Sequence, residues 1–191
     1  MRKAEEYNIK LTDDSVSVKK KKKNEKINVF DVFTSITAAV IVVCVIFTFF
    51  FRVVNVEGSS MKPTLQNNDK LVISVAGYKP EKGDIVVLSG TDGINHSIVK
   101  RVIATGGDVV DINFTTGVVT VNGIEEDYTD ELTRQQFDIA FPLTVPEGTV
   151  FVLGDNRGNS IDSRSTQVGC VDERLIIGKA LFKLLPPGKV E

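Results

Sequence analysis

Ser60, inside the stretch Val-Glu-Gly-Ser-Ser-Met-Lys-Pro-Thr-Leu at residues 56–65, is the first residue whose type and setting point to chemistry. A serine hydroxyl becomes a nucleophile when a neighbouring base takes its proton. Two serines ahead of a methionine and a proline also make an ordinary turn into a strand. Ser60 is set apart by its place just beyond a long apolar run and by two segments downstream. One is Ser-Ile-Val-Lys-Arg-Val-Ile-Ala at 97–104, whose period-two alternation puts Ile98, Lys100 and Val102 on one face and Val99, Arg101 and Ile103 on the other. Whichever face is buried takes a basic residue with it. A buried ammonium loses hydration, its pKa falls, and the neutral amine can act as a general base. Lys100 is therefore a candidate partner for the serine; the plainer reading is a Lys-Arg pair that solubilises a sheet edge. The other segment is Gly-Asp-Asn-Arg-Gly-Asn-Ser-Ile-Asp-Ser-Arg at 154–164, which gathers hydroxyls, carboxylates and guanidiniums in one loop. Such a loop can hold catalytic groups through hydrogen bonds and ion pairs.

Other chemistries fit less well. The loop's two arginines and its glycine spacing suit a calcium loop poorly. Two cysteines, Cys44 and Cys170, and a single His96 leave too few ligands for a cysteine- or histidine-based zinc site, so no metal or cofactor is expected. The cysteines fall in different parts of the chain, and no structural disulfide is expected. His96 invites a Ser-His-Asp triad, but Gly58-Ser59-Ser60-Met61-Lys62 breaks the Gly-x-Ser-x-Gly elbow at its last position, and strand-helix alternation is absent. A cysteine transpeptidase using Cys170, His96 and Arg174 is nominally possible, without the sequence surroundings that chemistry needs.

The elements that must position these groups follow from composition and periodicity. Of 191 residues a quarter are charged, enough chain for one globular domain with appendages. Residues 1–30 carry nine Lys/Arg against five Asp/Glu, leaving fourteen against twenty for the rest, so the tail is basic and the body acidic. Residues 1–26 show no sustained periodicity, and a disordered tail is expected. Their lysine run stands directly before an apolar segment, which favours a membrane surface over nucleic acid as its neighbour. Residues 32–51 hold twenty uncharged residues, which as a helix span the roughly 30 Å apolar core of a bilayer. Lysines crowd the near flank and only Arg52 marks the far one, so the positive-inside rule places residues 1–31 in the cytoplasm and residues 52–191 outside. Phenylalanines rather than small residues follow the apolar run, which suits an uncleaved signal anchor. Beyond it, strands are expected at 53–57, 70–75, 84–89, 97–104, 109–113, 118–121, 149–153 and 176–184. Turns fall at Gly77, Gly83, Thr91 to Gly93, Gly106-Gly107, Thr116-Gly117 and Asn122-Gly123. Many short strands at this spacing argue for an all-β barrel or sandwich. Residues 125–147, acidic and irregular, are expected to be a surface excursion.

The segments 58–65, 83–88, 100–108 and 154–164, in that order behind an apolar span, resemble the motif boxes of bacterial type I signal peptidases, with a Gram-positive-like compactness. The resemblance implies a mainly β catalytic domain behind a transmembrane helix. It also implies a Ser-Lys serine endopeptidase that removes signal peptides from exported preproteins, cutting after small residues at the first and third positions before the bond. Its partners would be signal peptides, the lipid bilayer of the cytoplasmic membrane and the protein export machinery, with no nucleic acid and no cofactor. Ser60 matches the nucleophile, Lys100 the general base and Ser160 the hydroxyl that orients the lysine amine. Asp162 and Arg164 match residues that buttress the loop, and Asp155 and Arg101 an ion pair beside the site. The Ser60 backbone N–H would serve the oxyanion. Some relatives add a serine hydroxyl two positions earlier, where this chain has Gly58, leaving Gly58 or Ser59 as the second donor. The substrate is expected to bind extended along a sheet edge, with two shallow apolar pockets beside Ser60. The alternative is a catalytically inactive paralogue acting as an accessory or binding module in protein export; intact Ser60 and Lys100 speak against it.

Overall fold

A computed structural model describes residues 7–12, 15–20, 28–75, 77–90 and 96–190. The chain divides into two units, residues 1–43 and 44–191.

In the first unit β1 (Tyr7–Thr12) and β2 (Ser15–Lys20) form an antiparallel hairpin that pairs Ile9 with Val18 and Leu11 with Val16. This departs from the disordered tail expected there. The alternation in each arm is only two apolar residues long, too short to stand out among the lysines. Most of helix α1 (Val29–Phe50) follows, starting three residues earlier than the uncharged run suggests. Asp31 sits in its first turn, where a carboxylate complements the helix dipole. No residue of the helix is buried by protein, and its apolar side chains point all round, the pattern of a helix solvated by lipid rather than packed on a core. Its threonines leave no unsatisfied donor: Thr34, Thr37 and Thr48 Oγ1 donate to the carbonyls of Phe30, Phe33 and Cys44, one turn back. At about 33 Å the helix is long and apolar enough to cross a membrane.

The second unit is mainly β. Seven strands form one antiparallel sheet: β3 (Phe51–Asn55), β4 (Lys70–Ser74), β5 (Ile85–Leu88), β6 (Ile98–Thr105), β11 (Thr149–Leu153), β12 (Val171–Asp172) and β13 (Ile176–Leu185). Their order is β12-β11-β6-β5-β13-β4-β3. The end strands β12 and β3 do not pair with each other, so the sheet is open rather than a closed barrel. A second antiparallel sheet, in the order β10-β7-β8-β9, joins β7 (Val109–Asn113), β8 (Val118–Val121), β9 (Ile124–Glu125) and β10 (Leu143–Thr144). The β7-β8 hairpin turns at Gly117, as its sequence suggests, with φ at +85° where a side chain would be strained.

Strand β5 shows that this sheet can bury side chains on both of its faces. It reads Ile-Val-Val-Leu with no polar position, because both faces are covered. Ile85 and Val87 pack with Met61, Leu65, Leu71 and Ile73. Val86 and Leu88 pack with Val102, Val150 and Val152 on the other side. A third cluster, around Phe151, Leu153, Ile103 and the inward residues Val110, Ile112, Val119 and Val121 of β7 and β8, ties the second sheet to the first. Strand ends differ from sequence expectation by one or two residues. The two-residue strands β9, β10 and β12 had no periodic signal to announce them. Residues 91–95, where one turn was expected, lie outside the described residues.

Candidate active site

Ser60 sits in a fourteen-residue excursion between β3 and β4 whose mouth is closed by backbone hydrogen bonds, Val56 N to Asp69 O and Asn68 N to Val56 O, both 2.8 Å. Met61 and Leu65 drive it into the core, at 2% and 0% exposure. Each such burial is worth roughly 1.5–3 kcal/mol. That anchor leaves Ser59 and Ser60 half-buried at the surface beside it. Gly58 has φ at +91°, and its N–H donates to Asn67 Oδ1 at 2.8 Å.

Lys100 comes from β6. The register sets it opposite Val86, and Arg101 opposite Ile85. Because both faces of this sheet region are covered, both bases are buried, Lys100 at 3% and Arg101 at 5% exposure. Alternation alone required only one of them to be. Lys100 Nζ is hydrogen-bonded to Ser60 Oγ at 2.8 Å. Burial lowers the Lys100 pKa to about 8; the nearby Arg164 charge pushes the same way, while Asp162 and Asp155 oppose it.

Arg101 has a different fate, because its charge is fully paired. Its Nε and Nη2 fork onto Asp155 Oδ1 and Oδ2 at 2.9 and 2.7 Å, and Nη1 donates to Gly83 O at 2.9 Å. Asp155 Oδ2 also accepts from Thr64 Oγ1 at 2.6 Å, which ties the ion pair to the serine excursion. A second bidentate pair lies beyond it, with Arg164 Nε and Nη2 on Asp162 Oδ1 and Oδ2 at 2.8 and 2.9 Å, neither residue exposed at all. Gly154 N donates to Asp162 Oδ2 at 3.0 Å, and Arg164 Nη2 to Ser160 O at 3.3 Å. These pairs hold the loop in one shape; two planar forks matched in geometry offset the desolvation that isolated charges would suffer.

Ser160 lines the same cleft as Ser60 and Lys100. Its Oγ is buried and has no hydrogen-bond partner, so an orienting bond to the lysine is not formed here. Gly154 shows why this loop can come so close: a Cβ at that position would lie 2.5 Å from Ser60 O and collide with the Ser160 hydroxyl. Two asparagines that sequence reasoning did not single out complete the junction. Asn156 Nδ2 donates to Ser59 O and Asn156 N to Ser60 O, both at 3.0 Å, and Asn159 Nδ2 donates to Ser59 Oγ at 2.9 Å. They lay within the quoted loop, yet nothing in their spacing revealed which loop they would face.

Most of residues 125–147 lie at the surface, as expected, but the segment also reaches inward. Thr133 and Val145 are buried, Arg157 Nη1 donates to Thr133 Oγ1 at 2.9 Å, and Arg157 Nη2 pairs with Glu126 at 2.9 Å. Gln135 O accepts from Arg164 Nη1 at 3.0 Å, and the Phe137 ring lies 5.2 Å from the Arg164 guanidinium. The segment is a brace behind the loop, built from long-range contacts that leave no local periodicity.

The cleft above Ser60 and Lys100 measures about 790 Å³. A smaller hollow of about 270 Å³, floored by Val54, Val87, Val99 and Ile177, adjoins it along Glu57, His96 and Ser97. Of the oxyanion candidates, the Gly58 N–H is already engaged by Asn67, while the Ser59 hydroxyl accepts from Asn159 and keeps its own O–H for donation. The Ser60 N–H has no partner among the described residues.

The sequence that carries this serine and lysine is matched by a family model. The model described as signal peptidase, peptidase S26, covers residues 29–185. The chain belongs to this family. Signal peptidase I of Bacillus licheniformis is 35% identical over 87% of this chain and 94% of its own length. Signal peptidase I P of Bacillus subtilis subsp. natto is 35% identical over 89% and 96%. A signal peptidase I of known structure from Enterococcus faecalis V583 is 30% identical, with a TM-score of 0.44 over 53% of this chain and 97% of the other. The span matched to the signal peptidase family takes in the apolar helix and both sheets of the second unit. The cysteine-based rival finds no support in the same chain: Cys170 packs against the Phe151 cluster and Arg174 is forked on Asp172.

Proposed function

We propose that this chain is a membrane-anchored serine endopeptidase that removes signal peptides from exported preproteins, with Ser60 as nucleophile and Lys100 as general base. The observation that carries the reading is the 2.8 Å contact between Ser60 Oγ and a buried Lys100 whose pKa is brought down to about 8. An amine with that pKa is one-tenth neutral at about pH 7, against about one part in three thousand at the ordinary value.

Neutral Lys100 takes the Ser60 proton as Oγ attacks the scissile carbonyl, and the Ser60 N–H donates to the oxygen that becomes negative. The lysine ammonium then gives its proton to the departing amine of the mature protein. A water, deprotonated by Lys100 in its turn, hydrolyses the acyl-serine and releases the signal peptide. Ser160, with a buried hydroxyl in the same cleft and no other bond, orients the lysine lone pair once substrate closes the site. Asp162 and Arg164 brace the loop, and the Arg101–Asp155 pair seals the wall. The apolar hollow beside the cleft suits small side chains before the cut. The helix anchors the enzyme in the cytoplasmic membrane with residues 1–31 inside and the catalytic unit outside, where preproteins emerge from the export machinery.

Ser60 and Lys100 are both intact and in contact, which is the arrangement of a working site rather than of a binding module. The test is cleavage of a preprotein bearing an Ala-x-Ala site by the detergent-solubilised chain. Ser60→Ala and Lys100→Met should each abolish cleavage while remaining in the membrane; substantial activity in Lys100→Met would sink the mechanism. Protease protection of residues 60–191 on the outer side checks the orientation.

A further inference from the structure

Asn156 holds the two successive peptides that flank Ser60, one through its side chain and the other through its backbone. Its Nδ2 donates to Ser59 O at 3.0 Å and its backbone N–H donates to Ser60 O at 3.0 Å. The Ser59–Ser60 peptide is not among the cis bonds of the chain. In a planar trans peptide the C=O and the following N–H point in opposite directions. Drawing Ser59 O towards Asn156 therefore turns the Ser60 N–H away from the loop at 154–164. That N–H is left without a partner among the described residues, whereas the Gly58 N–H two residues earlier is consumed by Asn67. The Asn159 contact adds nothing to this orientation, because it reaches the Ser59 side chain and not its carbonyl.

We infer that Asn156 is a positioning residue for the oxyanion donor: its side-chain amide fixes the tilt of the Ser59–Ser60 peptide so that the Ser60 N–H is aimed where charge develops. The inference rests on the Ser60–Lys100 reading and deepens it. It also accounts for a site with Gly58 in place of a hydroxyl. With a single backbone donor, the direction of that donor decides how much stabilisation the oxygen receives, since such bonds act only when aligned before the reaction. Lys62 N donates to Ser59 O as well, at 3.2 Å, so the peptide keeps one restraint when Asn156 is changed. Removing an oxyanion donor outright costs about 10²- to 10³-fold in kcat; loosening its aim should cost less, roughly 10- to 100-fold.

The experiment compares Asn156→Ala and Asn156→Asp in the full chain in detergent. Aspartate keeps the size and the backbone bond but sets an acceptor against Ser59 O, so it should fall at least as far as alanine. Both variants should lose kcat with KM within about twofold; the rising limb of the pH profile, set by Lys100, should keep its wild-type position in Asn156→Ala and move to higher pH in Asn156→Asp, whose added carboxylate favours the ammonium as Asp162 and Asp155 do. A peptide boronate, whose tetrahedral adduct presents an oxygen to the Ser60 N–H, should lose affinity in parallel with kcat/KM. A product peptide should bind as before. The inference is overturned if both variants keep kcat within twofold, if the loss falls on KM, or if boronate affinity is unchanged; where alanine impairs folding, the isosteric aspartate decides. An active Ser60→Ala variant would instead overturn the Ser-Lys reading itself.

Discussion

Lys100 is held in a place that costs stability, and Lys100→Met separates that cost from the catalytic role proposed for it. In the folded chain the amine titrates at about 8, whereas in the unfolded chain it titrates near its ordinary 10.5. Below pH 8 both states hold the proton, and the folded state bears the full cost of a buried ammonium. That difference corresponds to about 3 kcal/mol. Between pH 8 and 10.5 the unfolded chain keeps a proton that the folded chain has released, so stability rises with pH across that window. Methionine fills the same volume without the charge. It forfeits the bond to Ser60 Oγ, worth about 1 kcal/mol, and Ser60 is exposed enough to take water instead. Lys100→Met should thus be more stable than wild type by about 2 kcal/mol at pH 7, or roughly 6 °C in Tm. The advantage should vanish by about pH 10.5. The assay is thermal or urea unfolding in detergent at pH 7, 8.5 and 10.5, alongside kcat/KM of the wild type over the same range. Wild-type activity should climb close to tenfold from pH 7 to pH 9 with a single ionisation near 8. A variant less stable than wild type at pH 7, or a stability difference that ignores pH, would refute the claim that burial depresses this lysine.

Three further outcomes follow from the same geometry. Asp162→Asn leaves Arg164 buried without its counter-charge and should cost about 3–5 kcal/mol of stability; because Asp162 raises the Lys100 pKa, the activity limb of surviving enzyme should also move to lower pH, as a pH–rate profile would reveal. Gly154→Ala brings a methyl within 2.5 Å of Ser60 O, so cleavage of an Ala-x-Ala preprotein should fall at least tenfold as the serine is displaced, and wild-type turnover would rule that packing out. Met61→Ala opens a cavity under the nucleophile and should destabilise the chain by about 2–5 kcal/mol, measurable as a urea midpoint shift.

Residue type and local period account for much of what this chain shows. A run of twenty uncharged residues can only be a long apolar helix, since length and hydrophobicity are local properties. The alternation in β6, β7 and β8 and the glycine at 117 place strands and turn because side-chain period and backbone freedom act over a few residues. Residue type left Ser60 and Lys100 as candidates beside plainer readings, and the resemblance of four ordered segments to the signal peptidase motifs singled out the pair, whose side chains the fold brings within 2.8 Å. Other properties depend on residues far apart in the chain. That Lys100 and Arg101 are both buried was settled by the serine excursion against the one and by Asp155 and Tyr128 against the other, not by alternation. The difference between them is that Asp155 neutralises Arg101, whereas burial lowers the Lys100 pKa against the opposing pull of Asp162 and Asp155. The bracing role of residues 125–147, the grip of Asn156 on the Ser59–Ser60 peptide and the unpartnered hydroxyl of Ser160 were likewise decided by tertiary contact. Burial and hydrogen-bond geometry belong to pairs of segments brought together by packing, and no single segment carries them in its own spacing.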